Sequence, residues 1–388
     1  MRFPGFEGEW ARCTLGEIGE PYIGLTYSPA DVVNEGGSIV FRSSNIQNGE
    51  IDYSDIVRVN KKIKDSIITR KDDLLICARN GSPRLIGKNA LLKEADGGQT
   101  FGAFMLVFRS KDNHFVHQLL STKGYYSQVS ENLGARINQI TTSNIKDFEF
   151  YFPPSAAERN KIAQFLDLID ERISIQNKVI ERYESLIKAL TDKWVNNLVN
   201  ETTAPFKSLY KEAGEGGTPS TSIASYYDGG DIPFIKIDDL SSKYLTENKD
   251  FITKLGMKKS SAWLVPANSV IYSNGATIGA ISINTYPVCT KQGILGIVPS
   301  ESIMVEFLYY MMSSSYFSKQ VQRIVTEGTM KTAYLKDINT IPCPLPDTAI
   351  QRKMTSGLIL LSERLALETY VREYYRTAKQ HLLNQLFI

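Results

Sequence analysis

Few stretches of this 388-residue chain carry residue types at spacings that could do chemistry. From Gly81 to Lys88 it resembles a phosphate loop, in which backbone amides cradle phosphates and a lysine reaches them. That loop needs glycines five apart and a Ser or Thr after the lysine to hold magnesium. Here Gly81 and Gly87 are six apart and Asn89 follows Lys88, so phosphate binding is not expected. His114 and His117 share a metal-ligand spacing on a helical stretch, but no acid or cysteine cluster supports them in sequence. A surface or capping role is expected, and no metal. There is no G-x-S-x-G nucleophile turn and no Asn-Pro-Pro-Tyr motif of the amino-methyltransferase kind. The four cysteines, Cys13, Cys77, Cys289 and Cys343, form no C-x-x-C pair, as expected of reduced thiols in a cytoplasmic protein. The opening residues do not read as a signal peptide, and no apolar run reaches a membrane-spanning length.

What remains are polar loop side chains suited to DNA. In the first half these are Arg42, Ser43, Asn45, Arg79, Asn80, Ser82, Arg84, Lys88, Arg136, Asn138 and Gln139. In the second they are Lys236, Asp238, Ser273, Asn274, Thr277, Lys291, Gln292, Lys331 and Thr332. Arginine clamps guanine, and Asn or Gln clamps adenine, through paired hydrogen bonds in the major groove. Lysine holds phosphates. Each residue taken singly is more simply a solvated loop residue. The net charge of +2 neither demands nor excludes such a partner, since a local patch matters more than the total.

The elements that must position these residues are duplicated. Asn144-Ile145-Lys146-Asp147-Phe148 returns as Tyr334-Leu335-Lys336-Asp337-Ile338, and each is followed by a proline-bearing apolar stretch. Arg159-Asn160-Lys161-Ile162 then returns as Gln351-Arg352-Lys353-Met354 at an offset of 192. The segments 38–46 and 73–81 match 232–240 and 267–275 at an offset of 194, and Gly87 matches Gly279. Lys236 thereby equates with Arg42, and Asn274 with Asn80. The period is that of a whole domain rather than of a solenoid.

Each copy ends in a long helix. Over 158–198 the apolar positions Ile162, Leu166, Ile169, Ile173, Ile180, Tyr183, Ile187, Leu190 and Trp194, with Gln176 among them, step by four and three. That is a coiled-coil seam with one buried polar residue to fix register. About 36 helical residues make a rod of roughly 54 Å, comparable with one to one and a half turns of duplex DNA. Carried across, the seam gives Met354, Leu358, Leu361, Leu365, Glu368, Arg372, Tyr375, Lys379, Leu382 and Leu386. Arg372 and Lys379 interrupt it, and Leu367, Val371, Tyr374 and Ala378 point to a shifted stripe. Within the globules, strands are expected at 39–41, 74–78, 104–108, 148–152, 234–237, 270–272, 280–283 and 294–298, and helices at 114–131 and 305–325. Asn80-Gly81 and Asn274-Gly275 read as turns. The fold class is α+β: two β-rich domains (1–154 and 201–346) separated by two long antiparallel coiled-coil helices (155–200 and 347–388), in an internal pseudo-two-fold repeat.

Along its whole length the chain resembles the specificity subunits of type I restriction–modification systems. The resemblance rests on Arg2-Phe3-Pro4-Gly5-Phe6-Glu7-Gly8-Glu9-Trp10, Thr14-Leu15-Gly16-Glu17-Ile18, Gly216-Gly217-Thr218-Pro219-Ser220-Thr221 and Ile232-Pro233-Phe234-Ile235-Lys236. The twice-occurring unit of Lys-Asp, proline stretch and long helix completes it. The resemblance implies two target-recognition domains, each reading half of a bipartite duplex site, with the helices as a ruler. It implies a non-catalytic chain that binds no cofactor. Its implied partners are two methyltransferase (modification) subunits using S-adenosylmethionine, and restriction subunits using ATP and Mg. The first half departs from the pattern, with Leu25-Thr26-Tyr27-Ser28-Pro29 in place of Gly-Gly-Thr-Pro-Ser. Two other classes stand beside this one: an enzyme whose site is not visible, disfavoured by the lack of clustered His, Cys or paired acids, and a scaffold that joins proteins without DNA. A mobility shift on duplex DNA, with and without a methyltransferase subunit, separates them.

Overall fold

The computed structural model describes residues 2–133, 138–275, 277–325 and 331–387. It divides into two units, Met1–Asn177 with Tyr370–Ile388, and Lys178–Thr369. The cuts in the two long helices fall at repeat-equivalent positions, after Asn177 and after Thr369. Among the described residues, no helix is long and apolar enough to cross a membrane.

In the first unit the chain runs through β1 (Ala11–Thr14), β2 (Glu20–Ile23), β3 (Val32–Val33), β4 (Ser38–Phe41), β5 (Val57–Val59), β6 (Leu74–Cys77), β7 (Asn89–Leu91), β8 (Thr100–Phe101) and β9 (Met105–Arg109). There follow α1 (Asn113–Leu119), α2 (Lys123–Asn132), β10 (Glu149–Phe152) and the 44-residue α3 (Ala156–Val199). The apolar run of β6 is buried throughout because both its faces are covered. It lies inside an antiparallel sheet of order β2-β9-β6-β7, beside a second sheet of order β8-β4-β5-β3. β1 pairs with β10, which returns the chain to the start of α3.

The second unit repeats this plan. It holds β11 (Thr203–Pro205), β12 (Tyr210–Glu215), β13 (Ile232–Ile235), β14 (Tyr244–Leu245), β15 (Phe251–Ile252), β16 (Ser269–Ser273), β17 (Ile281–Asn284), β18 (Cys289–Thr290) and β19 (Ile294–Pro299). Then come α4 (Val305–Ser313), α5 (Ser315–Ile324), β20 (Pro342–Pro344) and α6 (Thr348–Leu386). The sheet order β12-β19-β16-β17-β14 reproduces β2-β9-β6-β7 with one strand added. The parallel β13–β18 pair reproduces β4–β8, and β11–β20 reproduces β1–β10.

Each expected single helix at 114–131 and 305–325 is instead two helices. The breaks have one cause. Thr122 Oγ1 accepts the Tyr125 N–H, and Ser314 Oγ accepts the Phe317 N–H, so each side chain caps a new helix at equivalent positions. The first helix of each pair grips the long helices. Gln118 Nε2 donates to Asp170 Oδ2 at 2.9 Å, and the repeat equivalents of these two residues, Tyr310 and Ser362, share a hydroxyl hydrogen bond of 2.8 Å.

Every seam position of α3 is buried or half-buried, Gln176 included. The same holds for the strict seam on α6. The shifted stripe is therefore corrected: Leu367 and Tyr374 are 56% and 65% exposed. Lys379 occupies the seam because a carboxylate meets it there, while Arg372 pairs with the neighbouring Glu373 on its own helix. Lys379 Nζ lies 2.6 and 2.7 Å from the Asp170 carboxylate oxygens. Within the first unit, Leu383 and Leu386 of α6 pack among Ile162, Ala163 and Leu166 of α3, with Asp170 farther along meeting Lys379, so the two helices run antiparallel. Within the second, Val195 and Leu198 share a core with Met354 and Leu358.

The start of α3 is held by Arg159. Its guanidinium donates to both Asp112 carboxylate oxygens, at 3.0 and 3.2 Å, and to the carbonyls of Pro153 and Pro154. Gln351 does the equivalent work on α6, donating to the carbonyls of Ser302 and Pro346. The Arg159–Asp112 pair is nearly buried. Arg159→Ala strands a buried carboxylate, so chemical denaturation should show a loss of about 3–5 kcal/mol. A loss below about 1 kcal/mol, the worth of an exposed pair, would show that the bridge is not structural.

Candidate nucleic-acid interface

In the first unit four distant segments meet at the end of β6. The chain leaves β6, forms the loop 78–88 and returns, with the Cys77 N–H donating to the Lys88 carbonyl and the Gly87 N–H to the Cys77 carbonyl, both at 2.8 Å. Gly87 takes a φ of +84° there, and its partner Gly279 takes +106°, which explains why both copies keep glycine. The segment 138–140 lies alongside: the Ile140 N–H donates to the Ala78 carbonyl at 2.9 Å, and Arg79 bridges to Gln139. Asn80 Nδ2 donates to Ser43 Oγ at 2.9 Å, which ties in the turn after β4.

Of the residues expected to face DNA here, Arg79 and Arg84 are exposed and Lys88 is half-buried. Arg42 is paired with Asp55 at 2.8 Å. Both polar atoms of the Asn80 amide are engaged within the protein, since its Oδ1 also accepts the Ser82 N–H at 3.0 Å. Arg136 lies outside the described residues. The structure adds Phe104, which sequence reasoning left out. Its ring is 57% exposed and lies under the Arg79 guanidinium, 4.9 Å from centroid to carbon. The available signal was a large apolar residue in the turn entering a strand.

The second unit gathers the equivalent segments. The Asn274 and Gly275 N–H groups both donate to the Gly293 carbonyl, and the Ala333 N–H donates to the Asn274 carbonyl. The Lys291 N–H donates to the Ile235 carbonyl, beside Lys236. Thr277, Lys291 and Lys331 are exposed. Two expected contacts are corrected: Ser273 and Asn274 are both 0% exposed. β16 runs on through Ser273, and Asn274 is sandwiched between two backbones with its Nδ2 donating to the Ala333 carbonyl at 3.1 Å. Strand register corrects the Asn80–Asn274 equivalence as well: Asn274 aligns with Ala78, each donating its N–H to the turn that enters the next strand, at Gly293 in one copy and Phe104 in the other. Lys236 forms an ion pair with Asp250 at 2.7 Å.

The two histidines do have acids beside them, contrary to the reading from sequence. Asp167 and Asp170 of α3 reach α1, and His117, Asp167 and Asp170 each bring one potential ligand atom to within 4.8 Å of the others. The carboxylates are already held. Gln118 donates to both, His114 Nδ1 lies 2.6 Å from Asp167, and the Lys379 ammonium supplies positive charge at Asp170. The cluster serves to join α1 to α3 and α6. Burial pushes the His117 pKa down to about 4, with Lys379 and His114 adding to the shift and Asp170 and Asp167 opposing it. Its hydrogen bond to Asp167 is the main cause raising the pKa of His114, helped by Asp72.

The two shifts act in opposite directions. His117 stays neutral in the fold, so stability is lost as pH falls from about 6.5 toward about 4. His114 contributes stability below its ordinary pKa, which is lost as pH rises through its raised value. His117→Leu should flatten the acid limb of a denaturation-versus-pH curve, and His114→Ala should cost stability below pH 6.5 and little at high pH. An unchanged acid limb in the His117 variant would contradict its buried neutral state.

The description "Type I restriction modification DNA specificity domain" matches the chain twice, over residues 7–185 and 210–373. These two stretches coincide with the structural repeat. The chain belongs to the type I restriction–modification specificity family. It is 31% identical over 182 residues to the MjaIX specificity subunit of Methanocaldococcus jannaschii, a match covering 41% of each chain. It is 26% identical to the EcoR124I/EcoR124II specificity subunit of Escherichia coli, over 42% of this chain and 44% of that one. These matches span less than half the length of either relative. The specificity subunit of M. genitalium superposes over 100% of this chain and 97% of its own, with a TM-score of 0.64 at 18% identity, a likeness of fold.

Two motifs of the specificity family now have structural reasons. Within the opening motif, Arg2 pairs with the buried Glu158 at 2.7 Å, Phe3 packs edge-on against Phe165, and Trp10 packs against Phe115 and Phe387. This motif anchors the long helices. In the Gly-Gly-Thr-Pro-Ser stretch, a Cβ on Gly216 would lie 2.0 Å from the Thr290 carbonyl oxygen. Gly24 stands at the same place after β2, where a Cβ would lie 2.2 Å from the Gly102 carbonyl oxygen. The first half thus keeps the glycine that matters for close backbone approach, and its departure from the pattern begins at Leu25.

Proposed function

We propose that this chain is the non-catalytic DNA-reading subunit of a cytoplasmic type I restriction–modification complex. Each unit reads one half of a bipartite duplex site, and α3 and α6 set the length of the unread gap. The observation that carries this reading is the repeat itself: two like sheets, each presenting a cluster of loops, each ending in a long seam-bearing helix. The loop clusters carry Arg79 and Arg84 in one unit and Lys291 and Lys331 in the other, all exposed. Arginine suits base edges and lysine suits phosphates.

The helices also have outward faces. Leu168 and Ile175 on α3 are exposed off the seam, and so are their repeat equivalents on α6, Leu360 and Leu367. Equivalent apolar stripes on both helices suit two copies of one partner. We assign them to two methyltransferase subunits, which use S-adenosylmethionine, with restriction subunits using ATP and Mg joining the assembly. This chain itself supplies DNA choice and needs no cofactor.

A mobility shift with the chain and a methyltransferase subunit tests the reading. Retention of a split-site duplex over a scrambled one is expected. Arg79→Ala with Arg84→Ala should relax base choice in one half-site alone, each true base contact being worth about 1–3 kcal/mol. Equal loss in both halves, or no preference for any duplex, would overturn it.

A further inference from the structure

The Arg79–Phe104 pair has no counterpart in the second unit. By strand register Arg79 equates with Gly275, and Phe104 with Gly293, so neither side chain exists there. Phe104 sits at a rigid turn. Its carbonyl accepts the N–H groups of Ala78 and Arg79, and the Met105 N–H donates to the Gly102 carbonyl. Residues on either side, Phe101 and Met105, are buried, so the ring is held outward by a fixed backbone. A single exposed phenylalanine is ordinary. An exposed ring beneath a guanidinium is less so when, among the described residues, no carboxylate forms an ion pair with that guanidinium. Arg84, Asn138 and Gln139 stand around the pair on the same loop edge.

We propose that Arg79 and Phe104 act as one dinucleotide reader in the first half-site, a deepening that rests on the DNA-reading function proposed above. Arg79 donates its paired N–H groups to guanine O6 and N7 in the major groove, and the Phe104 ring edge packs on the 5-methyl of a thymine in the adjacent base pair. The 4.9 Å between guanidinium and ring centre suits neighbouring base pairs, whose rise is about 3.4 Å, with helical twist adding a sideways offset. The guanidinium covers one face of the ring. That leaves an edge for a methyl group and argues against insertion between base pairs, which needs both faces free.

The test uses the full chain with its methyltransferase subunits on the duplex this complex methylates. Deoxyuridine replaces, one at a time, each thymine next to a guanine in the first half-site. Wild-type affinity should fall about fourfold at one position, the worth of one buried methyl, and 5-bromodeoxyuridine should restore it. Phe104→Ala should bind the thymine and uracil duplexes alike while keeping its base preferences in the second half-site. Arg79→Lys, which keeps charge but not the fork, should lose its preference for guanine at the adjoining pair. The inference is overturned if Phe104→Ala keeps the thymine–uracil difference, or if the half-site has no thymine in a pair next to guanine. It is also overturned if 2-aminopurine fluorescence shows unstacking that disappears with Phe104→Ala. Failure of the wild-type complex to prefer any split site would instead remove the underlying function.

Discussion

Inserting one heptad into each long helix, between Asn177 and Lys178 and between Thr369 and Tyr370, should lengthen the unread gap of the target by about three base pairs. Seven helical residues add about 10 Å, and each base pair spans about 3.4 Å. The two insertion points are equivalent by the repeat. A whole heptad preserves the seam on both helices, keeping Gln176 and Glu368 at seam positions with their neighbours. Three base pairs also turn the groove by about a third of a turn, so weaker methylation at the lengthened site is expected. The methylated motif of cells expressing the variant reports the gap directly. An unchanged gap would show that the helices do not measure it.

A fragment ending at Asn200 should form a two-fold dimer that reads an inverted repeat of the first half-site. Removing the second half uncovers Trp10, Phe115, Ile162 and Leu166 in the first unit, which the end of α6 covers with Leu382, Leu383, Leu386 and Phe387. It also leaves the later seam residues Ile180, Ile187, Leu190 and Trp194 without a partner helix. Each such side chain is worth about 1.5–3 kcal/mol on burial, enough to drive pairing after association costs. A second copy supplies Leu190, Thr191, Trp194 and Val195 at the repeat-equivalent positions. Symmetric heads then imply a symmetric site. One mismatch is built in: Asp170 loses Lys379 and meets Ile187, its repeat equivalent. Ile187→Lys should therefore tighten the fragment dimer. Light scattering at micromolar concentration, followed by binding to palindromic and split duplexes, tests both steps. A stable monomer, or a dimer preferring the original asymmetric site, would contradict the argument.

The duplication, the helix seam and the main apolar strands such as β6, β9, β16 and β19 were legible in the sequence because each rests on local periodicity or on self-comparison, while two-residue strands such as β3, β8, β14 and β15 carry too short a run to show. The register of α6 was obscured by Lys379, a seam lysine whose partner Asp170 lies 209 residues away. The breaks at Thr122 and Ser314 were hidden inside apolar helical patterns, since a capping hydroxyl looks like any polar residue there. The candidate DNA surface was only partly legible. Asn274 has the side chain of a base reader and is spent on the backbone of residue 333. Phe104 has the side chain of a core residue and stands in the open. Asp167 and Asp170 escaped notice beside the histidines because about fifty residues separate them from α1. In each case the deciding fact was a contact between distant segments, which composition and spacing do not encode.

If two separate units read two separate half-sites, the methylated adenines in cells that express this chain with a type I methyltransferase subunit will report it when sequenced. The expected motif has two specified segments held apart by a gap of fixed length and free sequence. A continuous motif, or a gap of variable length, would contradict it.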